Sequence, residues 1–179
     1  DLKLIINAID KEKIRDKALI LIGFAGGFRR SELVNINYED VEFVPEGVKI
    51  LITRSKTDQS GEGITKAIPY FDNQEFCPVN VLKKYINLRF KDSNEGKIFA
   101  ISDKSVALII KRYAEKAGLD SSRYAGHSLR SGFATTAAEF GAEERNIMAM
   151  TGHKTTQMVR RYIQEANLFK NNALNKIKI

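Results

Sequence analysis

Three short strand-like runs, set within a chain whose other segments have helical patterns, most constrain the fold. The runs are VEFV, GVKILIT and ITKAIPY, which begin at Val41, Gly47 and Ile64. All three contain the β-branched residues that strands favour. The polar segment RSKTDQSGEG separates the last two runs and is typical of a long hairpin loop. The sequence therefore predicts a small three-stranded antiparallel sheet within a mainly α-helical domain.

Apolar residues at three- and four-residue spacing predict helical structure before this sheet. Residues 1–27 have this spacing, and the AGG string that ends at Gly27 supplies a helix stop or a tight turn. A second helix is predicted at SELVNI, with Ser31 as its expected N-cap.

Helices are also predicted throughout the part of the chain that follows the sheet. Pro78 opens the first of them. Ser102 or Asp103 caps the next, and Gly118 ends it. From residue 128 onward the pattern predicts helix after helix, with breaks at Gly141, at residues 151–152 and near Ile163.

The composition fits a single domain, spanning residues 1–179, with a polyanionic partner. Hydrophobic residues make up 43% of the chain, enough for one core without disulfide bonds. Cys77 is the one cysteine, so a reducing, cytoplasmic location is expected. The sequence has no apolar run that could span a membrane, so no membrane partner is expected. The net charge of +7 favours DNA or RNA binding, although plain solubility explains the charge alone equally well.

Four short strings contain residues suited to phosphate chemistry: GGFRRSEL, TRSKTD, GHSLRSG and TGHKTTQMVRRYI. Arginine suits a phosphate because its planar fork donates two hydrogen bonds and keeps its charge. Arg29 follows a glycine-rich helix end. Arg130 lies three residues after His127, so a helical turn would place both on one face. For each arginine taken alone, a surface charge or a structural salt bridge is the simpler interpretation.

Tyr162 is the candidate nucleophile, nine residues after His153 and directly after Arg160 and Arg161. A phenol, with a pKa near ~10, reacts well when cations stabilise the phenolate or a base accepts its proton. Taken alone, this tyrosine is more simply interpreted as a buried aromatic of a terminal helix. The two neighbouring arginines are expected to contact DNA.

His127 and His153 are the only histidines of the sequence, and each directly follows a glycine. A neutral imidazole can donate to a phosphate or accept a tyrosine proton. Two histidines and one cysteine can also bind a metal, but their spacing matches no zinc pattern. We therefore expect neither a metal nor another cofactor.

Lys56, in the predicted hairpin loop, is the candidate proton donor to a leaving oxygen, although most loop lysines are simply solvated. Arg54 and Lys66 are competing candidates for DNA contact. Glu32 follows Arg29 by three residues. It can orient a catalytic arginine, or it can be an ordinary acid in the first turn of a helix.

Together these strings resemble the tyrosine recombinase family, also called the phage integrases. The family order of Arg, Lys, His-x-x-Arg, His or Trp, and Tyr is matched over nearly the whole chain. GFRRSEL is similar to the first family box, GHSLRSGFAT to the second and TGHKTTQMVRRYI to the third. Each box is weak alone, and their combination is highly specific. Phe28, in place of the usual leucine before the first arginine, is a mild departure.

The resemblance implies the family's catalytic-domain fold, with helices around a three-stranded sheet. It also implies site-specific, metal-independent cleavage and rejoining of double-stranded DNA through a 3′-phosphotyrosine. Tyr162 would attack the phosphate and Lys56 would protonate the leaving 5′-hydroxyl. His127 would accept a proton or donate to the phosphate. The transition state would be stabilised by Arg29, Arg130 and His153, with Glu32 as the acidic companion of the first arginine.

Further expectations concern the whole protein. The family's N-terminal DNA-clamping domain is expected to be absent from this chain, which would make it the catalytic part of a longer protein of bacterial, phage or plasmid origin. The amphipathic segment EANLFKNNALNKIKI, residues 165–179, is expected to pack on a neighbouring protomer within a tetramer on DNA, with a self-packed helix as the alternative.

Three other functions stay open at this point. A type IB topoisomerase uses almost the same residues but rejoins the same strand. A DNA-binding relative that has lost catalysis is possible, although the complete residue set argues against it. A plain helical interaction domain leaves the coincidence of the residues unexplained.

Overall fold

The three predicted strands form one antiparallel sheet in the computed structural model, which describes residues 1–53, 63–168, 170 and 175. The strands are β1 (Val41–Val44), β2 (Gly47–Ile52) and β3 (Ile64–Pro69), in the order β1-β2-β3. Both neighbouring pairs are antiparallel, with Val41 opposite Ile50 and Ile52 opposite Ile64. The predicted hairpin loop connects β2 and β3, and its residues 54–62 lie outside the described part of the chain.

One face of the sheet is buried because side chains alternate along each strand. In β2, Val48, Ile50 and Ile52 are buried, whereas Lys49 between them is exposed. In β3 the same alternation buries Ile68 together with a lysine that belongs to the candidate site.

Eight α-helices surround this sheet in the described part of the chain. They are α1 (Leu2–Asn7), α2 (Ile14–Ala25), α3 (Arg30–Val34), α4 (Pro78–Arg89), α5 (Asp103–Lys116), α6 (Ser128–Glu139), α7 (Glu144–Thr151) and α8 (Thr156–Asn167). The mainly helical fold with a three-stranded sheet confirms the predicted fold class.

The helix ends show which local signals were strong. Pro78 begins α4, and the Ser102 hydroxyl accepts a hydrogen bond from the Ser105 N–H at the start of α5, both as predicted. Gly118 follows the end of α5 in a left-handed conformation, with φ of +75°.

Two predicted boundaries are wrong. Ser31 is not the N-cap of α3, because the helix already begins at Arg30 and the N-cap is Arg29. The carboxylate of Glu32 accepts a hydrogen bond of 2.9 Å from the Arg29 N–H, so an acidic side chain in the first turn satisfies the backbone donor of the N-cap residue. The predicted break near Ile163 is also absent, since α8 continues to Asn167.

The main core lies around α2, whose residues 18–22 are almost fully buried. This helix packs against both α4 and α6. A second, smaller cluster joins α6, α7 and α8 through Ala134, Ala138, Ile147 and Val159. These two clusters fix the helix ends that carry the candidate site. Within the described residues, no helix is long and apolar enough to cross a membrane.

Candidate active site

An open pocket of about 430 Å³ brings together residues that are far apart in the sequence. Its walls come from the start of α3, the start of α6, the turn between α7 and α8, and α8 itself. The residues that line it are Arg29, His127, Arg130, Ser131, Gly152, His153, Lys154, Met158 and Tyr162. Five of the six predicted catalytic residues are therefore in one pocket. Lys56, the sixth, lies outside the described residues, as does Arg54.

The turn after α2 anchors the buried arginine of this pocket. Gly27 has a φ of +54°, a conformation that glycine adopts without steric cost. Its carbonyl accepts a hydrogen bond of 3.2 Å from Nη1 of Arg130, whose residue is only 6% exposed. Burial, and then the nearby Arg29, lower the pKa of Arg130 to about 10, so it is fully charged at neutral pH.

The second terminal nitrogen of Arg130, Nη2, is buried and has no hydrogen-bond acceptor among the described residues. A buried charged donor without an acceptor is costly, so such a group in a native protein needs an explanation. A phosphate oxygen in the pocket would supply an acceptor of the matching charge.

Arg29 is held at the pocket by the acid three residues after it. Nη1 of Arg29 donates to Oε1 of Glu32 at 2.7 Å, and the Arg29 N–H donates to Oε2. Burial alone would raise the pKa of Glu32. Lys66 and the two hydrogen bonds from Arg29 outweigh it and hold that pKa below its usual value. Glu32 is thus a buried anion that orients the first arginine.

Lys66 lies inside the protein, and the expectation that it contacts DNA is wrong. The residue is 4% exposed, because the alternation of β3 directs its side chain into the core. Its Nζ donates to the Gly26 carbonyl at 2.8 Å and lies 3.8 Å from the Glu32 carboxylate and 4.4 Å from the centre of the Phe28 ring. Burial is the main reason that its pKa is lowered, to about 8.

His153 is fixed by a neighbour that the sequence patterns did not single out. Its Nδ1 lies 2.8 Å from the hydroxyl of Thr151, the last residue of α7. Gly152, in a left-handed conformation with φ of +64°, makes the turn between the two residues. Burial is the largest cause that lowers the pKa of His153, to about 4, followed by the charges of Arg130 and Arg29. The imidazole is therefore neutral at physiological pH.

Tyr162 and His127 line the same pocket from different helices. Tyr162, on α8, packs partly on the small cluster of α6 to α8, and its ring centre lies 6.3 Å from that of His153. His127 is exposed at the N-cap of α6, one turn before Arg130. The expected shared face of His127 and Arg130 is present, since both line the same pocket.

The two arginines before Tyr162 are on the protein surface. Arg160 lies 3.2 Å from Glu144 and Arg161 lies 3.1 Å from Glu165, and both arginine side chains are more than half exposed. Their exposure leaves them accessible to a large polyanion, so DNA contact stays a prediction for both.

Two residues of the site have roles that the sequence patterns did not predict. One is Thr151, a buried residue whose only signal is its position before the Gly-His pair. The other is Lys66, which lies in the core beside Glu32. The alternation of residues in ITKAIP indicates this buried position, because Lys66 shares a face of β3 with Ile64 and Ile68.

Fold and site together define a protein with a cationic pocket and an adjacent tyrosine, on a helical domain with a small sheet. The chain belongs to the phage integrase family, because the sequence model of that family matches residues 1–168.

A relative from Selenomonas ruminantium, described as an integrase/recombinase xerD homolog, is 49% identical over 191 residues, which are 98% of this chain and 55% of that protein. The fold is similar to that of a XerA recombinase crystal structure, with a TM-score of 0.76 and 21% identity, over 99% of this chain and 62% of that one. The fold is also similar to that of XerH site-specific recombinase in its post-cleavage complex with a palindromic difH substrate. The TM-score is 0.71 and the identity 17%, over 96% of this chain and 52% of that one. This chain thus spans little more than half the length of these proteins.

Proposed function

We propose that this chain is the catalytic domain of a site-specific DNA recombinase that cleaves and rejoins strands through a 3′-phosphotyrosine. The observation that carries the proposal is that two arginines, two histidines and a tyrosine line one pocket. Membership of the phage integrase family supports it, as does the relative described as an integrase/recombinase.

In the proposed first step, Oη of Tyr162 forms a bond to the phosphorus of a DNA phosphodiester, and the bond from phosphorus to O5′ breaks. The energy of the phosphodiester is conserved in the new bond, so a second 5′-hydroxyl can reverse the step without an external energy source. The leaving O5′ needs a proton, for which Lys56 is the proposed donor.

The cations of the pocket have the role of stabilising charge in the transition state. Phosphoryl transfer depends mainly on positioning and on charge stabilisation at the non-bridging oxygens. Arg130 is aimed by its bond to Gly27, and Arg29 by its pair with Glu32. In this scheme they bind the non-bridging oxygens with His153, while His127 accepts a proton or donates to the phosphate. All of these groups are side chains, so cleavage should persist in EDTA.

The proposed substrate is double-stranded DNA, which agrees with the net charge of +7 and with the DNA-bound XerH complex of similar fold. Recombination between two duplexes cleaves four strands, and each cleavage uses one tyrosine. A homotetramer on DNA is therefore part of the proposal, with a cytoplasmic site of action where such DNA is found.

Covalent trapping tests the proposal directly. The protein is incubated in EDTA with a pool of randomised duplexes that carry a nick next to the variable region, which lets the cleaved fragment diffuse away. Adducts that resist SDS are isolated, the modified residue is mapped by mass spectrometry and the attached DNA is sequenced. We expect a single adduct, on Tyr162, and an enriched set of DNA sequences.

The matched pair of variants is Tyr162→Phe and Tyr70→Phe. Tyr70 is 39% exposed and lies directly after β3, away from the pocket, so its loss should leave the adduct unchanged. Tyr162→Phe should abolish the adduct and keep DNA binding in a gel-shift assay. Absence of any adduct on a pool that the protein measurably binds would instead support an inactive DNA-binding relative. Relaxation of supercoiled DNA without strand exchange would support a topoisomerase.

A further inference from the structure

The hydroxyl of Thr151 determines which nitrogen of His153 carries the proton. The Thr151 side chain, on a residue that is only 1% exposed, donates its single proton to the Ile147 carbonyl at 2.7 Å. The same oxygen lies 2.8 Å from Nδ1 of His153. A hydroxyl has one proton to donate and two lone pairs to accept with. Since the proton already goes to Ile147, the hydroxyl is the acceptor from His153, and Nδ1 is the donor.

The opposite assignment would leave an unfavourable contact. If Thr151 donated to Nδ1, its oxygen would face the Ile147 carbonyl oxygen at 2.7 Å with no hydrogen between them. Two acceptors at that distance repel each other, whereas the chain from Nδ1–H through the hydroxyl to the carbonyl satisfies every group.

A neutral imidazole has one N–H, so its other nitrogen has a lone pair. With the proton on Nδ1, Nε2 of His153 is an acceptor and cannot donate to a phosphate oxygen. Burial and, after it, the charged groups around it keep the ring neutral. They are Arg130 on α6, Arg29 before α3 and Lys66 on β3, and all three disfavour a further positive charge. Lys154, Tyr162 and His127 also line the pocket.

We propose that Thr151 is a positioning residue that holds His153 with its proton on Nδ1, and so presents Nε2 as the acceptor for the phenol proton of Tyr162. As the bond from Oη to phosphorus forms, the phenol proton moves to Nε2. The resulting imidazolium then donates that proton in a hydrogen bond to a non-bridging phosphate oxygen, so His153 acts first as acceptor and then as donor. The acceptor role rests on the proposed function, whereas the tautomer does not.

The tautomer can be measured on the free protein by long-range ¹H–¹⁵N NMR of histidine-labelled chain. The sequence has two histidines, so one His127→Gln spectrum assigns both rings. At neutral pH we expect His153 to show a protonated Nδ1 and an unprotonated Nε2. Thr151→Val, which keeps the shape and removes the hydroxyl, should populate the form with the proton on Nε2. Thr151→Ser should restore the wild-type pattern.

The reaction is tested with the same variants in the covalent-trapping assay. Loss of a group that orients a functional histidine typically costs about ten- to a hundredfold. We expect Thr151→Val to slow adduct formation by that factor and Thr151→Ser to be within about threefold of wild type. Thr65→Val, on the exposed face of β3, controls for the exchange of residue type.

The outcomes separate the two proposals. A wild-type spectrum with the proton on Nε2, or a Thr151→Val spectrum unchanged from wild type, would overturn the tautomer assignment whatever the activity. A shifted tautomer with unchanged adduct formation would refute the acceptor role. A protein with the expected tautomer that forms no adduct at all would refute the acceptor role together with the proposed function, while the position of Thr151 would stand.

Discussion

Glu32→Gln removes the one negative charge that the described structure places among the cations of the site. The Glu32 side chain is 5% exposed, lies 2.7 Å from Nη1 of Arg29 and 3.8 Å from Nζ of Lys66. Glutamine keeps the size and one oxygen acceptor but leaves both cations facing a neutral amide. The effect of the exchange is therefore electrostatic more than steric.

The expected loss of stability follows from the burial of the two partners. Breaking a buried ion pair by removing one partner costs about 3–5 kcal/mol. Arg29 is 22% exposed, which screens part of its interaction, so we expect the lower end, about 3 kcal/mol. For a chain of 179 residues, each 1 kcal/mol shifts the melting temperature by about 2–4 °C. The variant should therefore melt about 6–12 °C below wild type.

Thermal and urea unfolding followed by circular dichroism at neutral pH measure this change. Glu165→Gln is the matched control, because it breaks an exposed pair with Arg161 on α8. Exposed pairs at this spacing contribute about 0.3–0.5 kcal/mol, so the control should be close to wild type. A Glu32→Gln variant within about 1 kcal/mol of the control would refute the view that this carboxylate holds the site together.

The same variant has a pH signature. The pKa of Glu32 is lowered by folding, so its contribution is complete above the unfolded pKa of 4.5 and is lost as the pH falls through the folded value. Wild type should therefore lose more stability than Glu32→Gln when the pH is lowered from 6 towards 3.

Three further predictions concern Arg130, His153 and Lys66. Arg130→Lys keeps a positive charge but loses the guanidinium fork that binds the Gly27 carbonyl and, in the proposed scheme, a phosphate oxygen. The rate of adduct formation in the trapping assay should therefore fall by about 10²–10³-fold. A fall of less than about tenfold would contradict this role of the guanidinium group. Folding lowers the pKa of His153 from 6.5 to about 4, so between these values the unfolded state binds a proton that the folded state does not, and wild type loses stability as the pH falls through this window. His153→Gln should therefore lose less stability than wild type between pH 7 and 4.5. Equal losses of stability would contradict a buried neutral ring. Lys66→Met should lower the free energy of unfolding by about 2–3 kcal/mol and leave the salt dependence of DNA binding unchanged. If the slope of log K against log salt concentration were instead reduced by about one, Lys66 would be a phosphate contact.

Helix starts were predictable from the sequence where the residues that determine them lie at the helix start itself. Pro78 and Ser102 mark helix starts through their own geometry and hydrogen bonds, and both predictions were confirmed. The Ser31 prediction failed because α3 begins one residue earlier than a Ser31 cap would allow, with the Glu32 carboxylate accepting from the N–H of the N-cap Arg29. Propensity identifies the residue types that can cap a helix, but the residue at which a helix begins also depends on tertiary contacts, here the contact of Glu32 with Lys66.

The composition of the pocket was predictable from motif spacing, but the connections between its residues were not. Lys66 was named as a candidate for DNA contact, although two apolar neighbours at period two place it on the buried face of β3. Its contact with Gly26 spans 40 positions in the sequence, and the bond from Arg130 to Gly27 spans 103. Contacts over such separations depend on how α2, α6 and the sheet pack, which no local pattern encodes.

The charges of the site also explain why a neutral histidine suits it. Arg29, Arg130 and Lys66 are cationic at neutral pH, since even the lowered pKa of the lysine is about 8. With the anionic Glu32 the cluster has a net charge of about +2 by simple counting. A phosphodiester has one negative charge and gains a second as an anionic oxygen attacks it. The cluster therefore matches the transition state better than the ground state, which is the condition for catalysis by charge.

A protonated His153 in the free site would raise the net charge of the cluster to about +3 by the same counting, and it could not itself accept the phenol proton. A neutral His153 becomes positively charged only when Tyr162 loses its proton. The new positive charge therefore forms at the same time as the additional negative charge on the phosphate. The bond from Thr151 to Nδ1 and the three cations around the ring favour this order of events. The rate of adduct formation in Thr151→Val relative to Thr151→Ser therefore reports on the timing of charge in the site as well as on the position of one ring.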